Sequence, residues 1–437
     1  MDKIKISNEL IDFIYDSPSP YHVVHNLKNV LTKKGFTEIK ESEAWKLKKG
    51  GKYFTTKNHS AIIAFFIGED EIENSGFRIV ASHTDSPTFK VKPAPEIFAE
   101  GNYIKLNTEV YGGPILNTWM DRPLSLAGRV VLKGQNPLKP KIKLINIKRP
   151  ILIIPNLAIH MNRNVNKGVE LNKQKDMLPI ISMVKDKLEK ENYLANIICK
   201  ELDVNIDEIL DFELFLYEFE KGCLIGDKNE FISIGKLDDL SMVHASLKAL
   251  LSSTNNKSTK VMVCFDNEEV GSATKQGADS PFLSQTLERI TLCLNKNKEE
   301  YFRTLSKSFM ISCDSAHAIH PNVGEKSDPT NKVIMNNGPV IKISASQSYT
   351  SDAYSSSVYE EICHRAKVPV QKFVNRSDER GGSTIGPISG THINIPSVDI
   401  GTALLAMHSI RELGGVEDQV YAIKSFVEFF NILNKKY

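Results

Sequence analysis

The stretch VMVCFDNEEVGS, residues 261–272, places five apolar residues directly before a cluster of acids and a glycine. A short apolar run that ends in polar residues is typical of a buried strand in an α/β sheet. The adjacent pair Glu268 and Glu269 has two interpretations. A solvated loop keeps such carboxylates apart in water, whereas a shared site needs a positive group to hold them together.

The same strand pattern recurs along the chain. Similar runs occur at AIIAFFIG (61–68), FRIVAS (77–82), SFMIS (308–312), PVIKIS (339–344) and around Val398 to Ile400. Helical patterns lie between them, as in LDDLSMVHASLKALLSS from residue 237 onward. The N-terminal segment predicts two helices divided by a Ser/Pro hinge, with Ser19 at the cap and Pro20 in the first turn. This alternation predicts a three-layer α/β fold with a mixed, mostly parallel sheet.

The middle of the chain has a different pattern. Residues 93–220 contain short strand-like pieces and Pro, Gly and Asn breaks, without the helix and strand alternation. We therefore predict an α/β domain formed by residues 1–92 and 221–437, interrupted by a β-rich inserted second domain at residues 93–220.

Composition excludes several classes of protein. A formal net charge of +2 over 437 residues gives no basic surface for nucleic acid. No apolar stretch approaches the roughly 20 residues that cross a bilayer, and the charged N-terminal segment is unlike a signal peptide. We expect a cytoplasmic protein. The six cysteines are scattered without a C-x-x-C spacing, which predicts reduced thiols and no thiolate metal site.

Acids and histidines follow the predicted strands. They are His83, Asp85, Asp266, Glu268, Glu269, Asp314, His317 and His408. Loops at the carboxyl ends of parallel strands converge, so these side chains are expected to meet. Histidine and carboxylate ligands without thiolates suit zinc, manganese or cobalt in a hydrolytic site. Each residue alone has a simpler reading: a hydrogen-bonded histidine, a helix-capping aspartate or a turn former.

Ten motifs in order along nearly the whole chain carry a resemblance. They are SPSPYHVV, ASHTDSP, TWMDRPLSLAGRV, PNLAIHMNR, KLDDL, DNEEVGS, SCDSAHAIHPN, GPVIKIS, GGSTIGP and LAMHSIRE. With them the chain resembles the aspartyl aminopeptidase family of co-catalytic zinc metallopeptidases. The resemblance implies a zinc aminopeptidase fold in which the domain of residues 1–92 and 221–437 is catalytic and the inserted domain is a cap or dimerisation domain. It also implies two divalent metal ions per subunit and a homo-oligomer in which dimers assemble to a tetrahedral dodecamer.

The resemblance also assigns roles to residues near the metals. The metal positions fall on His83, Asp238, Glu269, Asp314 and His408, with Asp238 bridging the two ions. Glu268 takes the position of the general base, and Asp85 that of the residue that orients the His83 imidazole. Where family members often carry Asn after the bridging Asp, this chain has Asp239, which leaves open which of the two aspartates binds.

The substrate pocket is less explicit. By resemblance, His160 reaches the active site of a neighbouring subunit to contact substrate; an accessory metal contact and a buried structural histidine are the alternatives. Lys342 and Tyr349 match pocket positions, although Lys342 is also readable as a solvated strand end. His317 is a further candidate for the pocket.

The predicted function is removal of N-terminal residues from peptides by a zinc-dependent aminopeptidase that prefers Asp and Glu. The segment before GGSTIGP is ambiguous about this preference, because Glu379 disfavours an acidic substrate whereas Arg376 or Arg380 favours one. A broader neutral-residue aminopeptidase, a related amidohydrolase or deacylase, and a non-catalytic assembly protein are the alternatives. The intact set of ligands and base disfavours the last of these.

Overall fold

The structure, a computed structural model, describes residues 1–183, 192–379 and 381–433. Contacts between residues divide the chain into two compact units. The first comprises Met1–Asp85, Gly222–Met407 and Glu412–Tyr437, and the second comprises Ser86–Lys221 and His408–Arg411. The predicted domain boundaries, at 92/93 and 220/221, lie seven residues after and one residue before these divisions.

The N-terminal part of the first unit begins with the predicted pair of helices. In chain order it contains α1 (Lys3–Tyr15), α2 (Pro20–Lys33), β1 (Thr37–Glu38), β2 (Lys52–Lys57), β3 (Ala61–Phe66), α3 (Ile72–Ser75) and β4 (Phe77–His83). Ser19 is the residue that precedes α2, as predicted, but its side chain makes no cap hydrogen bond. Its hydroxyl lies instead 2.8 Å from Nδ1 of His22.

The second unit is β-rich, as predicted. Its described residues form β5 (Thr88–Ala99), β6 (Tyr103–Tyr111), β7 (Leu124–Asn136), β8 (Lys139–Asn146), β9 (Ile180–Met183), α4 (Tyr193–Leu202) and β10 (Ile209–Glu218). The six strands make one antiparallel sheet in the order β8-β7-β10-β5-β6-β9. Alternate apolar residues of these strands, such as Leu124, Leu126 and Val130 of β7, are buried in its core.

The rest of the first unit alternates strands and helices. The strands are β11 (Cys223–Ile225), β12 (Phe231–Ile234), β13 (Thr259–Phe265), β14 (Phe309–Cys313), β15 (Ala316–His317), β16 (Val340–Lys342), β17 (Gln371–Phe373), β18 (Ser397–Gly401), β19 (Ala403–Leu405) and β20 (Glu412–Gly415). The helices are α5 (Leu237–Ser252), α6 (Phe282–Cys293), α7 (Lys298–Ser306), α8 (Ala353–Ala366), α9 (Ile385–Ile393) and α10 (Val416–Asn431).

A nine-stranded mixed sheet organises this unit, in the order β1-β2-β3-β13-β4-β14-β18-β16-β17. Its centre, β13-β4-β14-β18, is parallel, whereas β3 and β16 join antiparallel. Successive residues of β4 enter opposite cores: Val80 packs with residues of α5 and α10, and Ile79 with residues of α6 and α7. Helices therefore cover both faces, and the predicted three-layer α/β fold is confirmed. A second sheet of five strands follows the order β11-β12-β20-β19-β15.

No helix among the described residues has both the length and the apolar composition that a membrane span requires.

Candidate metal centre

His83 ends the central strand of the nine-stranded sheet and is 1% exposed. Its Nε2 lies 3.5 Å from the Asp238 carboxylate, and its Nδ1 lies 3.4 Å from that of Asp85. Burial alone would lower the pKa of His83, but these carboxylates raise it well above the usual value of 6.5. The structure thus brings Asp238 to the neighbouring pair His83 and Asp85, from which it lies far apart in the sequence.

Asp85, the residue predicted to orient the His83 imidazole, also contacts the turn that carries the two adjacent glutamates. Its two carboxylate oxygens accept hydrogen bonds from the backbone N–H groups of Glu268 and Glu269, each at 3.1 Å. Asp85 is fully buried, so both bonds are shielded from water. One carboxylate therefore connects the loop after β4 to the turn that carries the adjacent glutamates.

The two aspartates at the start of α5 have different partners, and the peptide bond between them is cis. Oδ2 of Asp239 accepts a hydrogen bond from the backbone N–H of His83 at 3.1 Å. The Asp238 carboxylate instead lies with ligand atoms of His83 and Asp314, all within 4.8 Å of one another. Of the two, Asp238 therefore has the geometry of a metal ligand, and Asp239 supports the strand end.

Glu268 and Glu269 occupy a short 3₁₀ turn after β13. A ligand atom of each lies within 4.8 Å of the other and of His83. Burial raises the pKa of Glu268 to about 8, although the His83 imidazole opposes the shift. Burial and the Asp238 charge also raise the pKa of Glu269 well above 4.5. Ionising both Glu268 and Glu269 therefore costs free energy unless a cation lies beside them.

Asp314 follows β14 and is held by an ion pair and a close backbone approach. Oδ2 of Asp314 lies 3.1 Å from the ammonium of Lys342. A Cβ atom on Gly401 would lie 2.0 Å from the Asp314 carbonyl oxygen, so only glycine fits beside this loop. Burial raises the pKa of Asp314 to about 6, although Lys342 opposes the shift.

Lys342 also donates to the carbonyl of Ser315 at 2.9 Å and is 4% exposed, so the alternative of a solvated strand end is wrong. Its ammonium lies 5.2 Å from the ring centroid of Tyr349. The rings of Tyr349 and His317 lie 6.4 Å and 6.0 Å from that of Phe373. Tyr349 and His317 thus both pack near Phe373, which pairs with Lys342 in the sheet and which no sequence pattern marks.

His408 and His160 belong to the second unit. Nδ1 of His408 lies 3.1 Å from the carbonyl oxygen of Gly113, a backbone contact of the kind that orients the ring of a histidine ligand. His160 is exposed in a turn, so the alternative of a buried structural histidine is wrong.

The charged segment before GGSTIGP is engaged in surface ion pairs where it is described. Arg376 pairs with Asp378 at 2.7 Å, and Glu379 pairs with Lys326 at 2.9 Å. Arg380 lies outside the described residues.

The donor set fits a divalent metal. The His83 Nε2 atom is buried and makes no hydrogen bond with any described residue, as expected of an atom placed for a ligand. Around it lie carboxylates whose raised pKa values reflect buried negative charge. Imidazole and carboxylate donors without thiolate suit a hydrolytic zinc site. A bound cation would offset that charge.

Glu412 was not identified from the sequence either. Its carboxylate is buried and accepts a hydrogen bond from the backbone N–H of Asp238 at 3.1 Å. Glu412 ends the motif LAMHSIRE, but that motif does not show its role, because Glu412 binds a backbone group. Phe373 lies outside the ten motifs and packs against rings.

Known proteins match the chain over nearly its whole length. The sequence model of the peptidase M18 family, described as aminopeptidase I zinc metalloprotease, matches residues 13–430. A relative from Clostridium novyi (strain NT), named probable M18 family aminopeptidase 2, is 64% identical over 431 residues, which cover 99% of this chain and 100% of the relative. A chain of the cryo-EM structure of the Ape4 and Nbr1 complex has 36% identity and a TM-score of 0.93, with 98% of this chain and 86% of that chain covered. The mApe1 dodecamer of S. cerevisiae has 27% identity and a TM-score of 0.83, with 97% and 96% covered.

Proposed function

The chain belongs to the peptidase M18 family of zinc metalloproteases and is a metal-dependent aminopeptidase, and from this premise we propose that it uses two zinc ions and prefers acidic N-terminal residues. The observation that carries the proposal is the meeting of His83, Asp238 and Asp314 within 4.8 Å, with Glu269 beside Glu268 at the same imidazole.

The ligands divide into two sets that share Asp238. His83 and Asp314 complete the first set, which the geometry of the first unit supports directly. Glu269 and His408 complete the second; the assignment of His408 rests on the AMHS motif. When bound, a pair of ions supplies Lewis-acid polarisation of the scissile carbonyl and lowers the pKa of the attacking water.

Glu268 is the general base in this proposal. Burial raises its pKa to about 8, which gives the carboxylate a greater affinity for a proton than an exposed glutamate has. It accepts the proton of the attacking water and delivers it to the leaving amine. Asp85 fixes the backbone of Glu268 and Glu269 together, so the base and the ligand keep a constant separation.

The preference for acidic residues rests on Lys342 as the positive group of the pocket. Its ammonium lies beside Tyr349, where a substrate carboxylate would gain from its charge. The ion pair with Asp314 reduces that charge, and the rings of Tyr349 and Phe373 favour neutral side chains. A broader neutral-residue aminopeptidase is therefore the second candidate.

A panel of chromogenic amides with N-terminal Asp, Glu, Leu and Lys, assayed with and without chelator, tests the substrate class. We expect kcat/KM to be highest for Asp and Glu and chelator to abolish all turnover. Lys342→Met should lower kcat/KM for Asp and Glu more than for Leu. Equal losses on all substrates would refute the role of Lys342, and cleavage of N-acyl amino acids alone would favour the deacylase alternative.

Matched substitutions of the two glutamates test the division of roles. Glu268→Gln should keep two zinc ions per chain and lower kcat by about 10²–10⁴-fold, the usual effect of a lost general base. Glu269→Gln should instead lower the zinc stoichiometry, because an amide is a weaker ligand than a carboxylate. Metal content measured by elemental analysis separates the two, and equal metal loss in both variants would contradict the assignment.

We also propose that the chain forms a homo-oligomer, as the S. cerevisiae dodecamer does. In the second unit, Leu157, Ile159 and Met161 are 52%, 50% and 74% exposed around His160, an apolar surface suited to a second copy of the chain. Native mass spectrometry should detect a dodecamer in the wild type. Leu157→Asp with Met161→Asp should yield smaller species, and an unchanged mass would refute this contact.

A further inference from the structure

Helix α5 begins without a cap of its own. The preceding residue, Lys236, has left-handed backbone angles, and its side chain makes no cap hydrogen bond. The first N–H groups of a helix have no partner within it, and a buried one needs an acceptor from elsewhere. Asp238 is 2% exposed, so water does not replace that acceptor.

Glu412 supplies the acceptor from a distant part of the chain. Its Oε2 atom lies 3.1 Å from the backbone nitrogen of Asp238, and the residue is itself 2% exposed. A charged acceptor makes a stronger hydrogen bond than a neutral one, and more so in a buried site.

The backbone of Glu412 is held by strand pairing close to the start of α5. In the five-stranded sheet, Glu412 of β20 pairs with Ile234 of β12, four residues before Asp238. Glu412 therefore contacts this segment twice. Its backbone pairs with Ile234 before α5, and its side chain accepts a hydrogen bond from Asp238 in the first turn of α5. This arrangement restricts where the Asp238 carboxylate lies.

We propose that Glu412 is a positioning residue for the metal centre: it holds Asp238 in the orientation that Asp238 needs as a shared ligand. The inference rests on the proposed role of Asp238 as the bridging ligand. In this role Glu412 acts through the backbone of Asp238 and is not itself a proposed ligand.

Zinc titration of the apo-protein tests this without any reliance on turnover. Glu412→Ala removes the acceptor, and the apparent Kd for zinc should rise about 10–100-fold, the usual effect of losing a residue that orients a ligand. Glu412→Gln keeps an acceptor oxygen and should recover most of the affinity. The same order of variants is expected for kcat, with KM little changed.

Asp418→Ala is the matched control. Asp418 is also fully buried, and its carboxylate accepts hydrogen bonds from the backbone N–H groups of Asn336 and Gly338 at 2.6 Å and 2.9 Å. Its removal should lower the free energy of unfolding but leave zinc affinity within about 3-fold of the wild type, since Asp418 contacts no proposed ligand.

Wild-type zinc affinity in Glu412→Ala would overturn the inference, as would an equal loss of affinity in Asp418→Ala. If Glu412→Ala does not fold, Glu412→Asp decides: its shorter carboxylate should give an intermediate affinity, and unchanged affinity would overturn the proposal. A wild-type protein that binds two zinc ions but cleaves no peptide would refute the proposed function while leaving the role of Glu412 supported by its own titration.

Discussion

Asp85→Asn is the substitution that best separates orientation of the metal ligands from stability of the fold. The asparagine has almost the same size, but only one of its side-chain atoms accepts a hydrogen bond. It therefore satisfies one of the two backbone N–H groups of Glu268 and Glu269 that Asp85 holds at 3.1 Å, and its amide N–H₂ faces the other.

Two effects of this change oppose each other in the apo-protein. A lost hydrogen bond to a charged group costs about 1.5–3 kcal/mol. The Asp85 charge, however, also raises the pKa values of Glu268 and Glu269, so its removal relieves repulsion among buried carboxylates. We therefore expect a small change in the free energy of unfolding without metal.

With zinc bound, the repulsion is already offset and only the loss of orientation remains. A 10–100-fold weaker zinc affinity corresponds to about 1.4–2.8 kcal/mol less zinc-dependent stabilisation at the same zinc concentration. Urea unfolding in chelator and in excess zinc measures that difference directly. A zinc-dependent stabilisation equal to that of the wild type would refute the orienting role of Asp85.

Asp352→Asn is the control for this measurement. Asp352 caps α8 by accepting a hydrogen bond from the backbone N–H of Ser355 at 2.7 Å. Its substitution should cost up to about 1 kcal/mol, the same in chelator and in zinc. A zinc-dependent effect in this variant would show that the assay does not report on the metal centre.

Three further outcomes follow from buried charges. The Lys342 ammonium lowers the pKa of Asp314, which burial raises to about 6. Lys342→Met should raise this pKa further, so zinc affinity should fall more steeply from pH 8 to pH 6 than in the wild type. Parallel pH profiles of the two proteins in zinc titrations would contradict this. In the second unit, Glu218→Ala should cost about 1.5–3 kcal/mol in urea unfolding, because it removes the carboxylate 3.0 Å from the Arg411 guanidinium and leaves the carbonyl oxygens of Glu220 and Lys221 as acceptors; a loss below 1 kcal/mol would contradict the argument. Burial raises the pKa of Asp418 to about 7, so its contribution to stability is present below about pH 4 and lost as the pH rises through 7. Asp418→Asn should therefore gain stability relative to the wild type between pH 4 and 8, and a constant difference in unfolding free energy would refute the shift.

The sequence predicts those parts of the site in which residue type and position carry the signal. His83, Asp314 and the two adjacent glutamates follow short apolar runs, and the three-layer fold brings strand ends together. The strand runs and the two N-terminal helices were likewise predictable, since burial on two faces and helix periodicity leave marks in the residue order.

The supporting contacts were not predictable, because their partners are backbone groups or distant rings. The hydrogen bonds of Asp85 to Glu268 and of Glu412 to Asp238 span 183 and 174 residues. Any residue has a backbone N–H, so no motif marks the donor. The sequence likewise does not distinguish Asp238 from Asp239, because adjacent aspartates have the same chemistry and differ only in the partners that the fold gives them.

β4 is the fifth of the nine strands and lies at the centre of the sheet, so the end of this strand should keep its structure when the metal is removed. Strands buried on both faces open only through global unfolding and exchange their amide hydrogens last. His83 stands at the end of that strand, so chelation should leave its imidazole in place. Zinc returned to the apo-protein should then restore the centre within the time of binding, without a refolding phase, and hydrogen exchange across residues 77–83 should be equally slow before and after chelation.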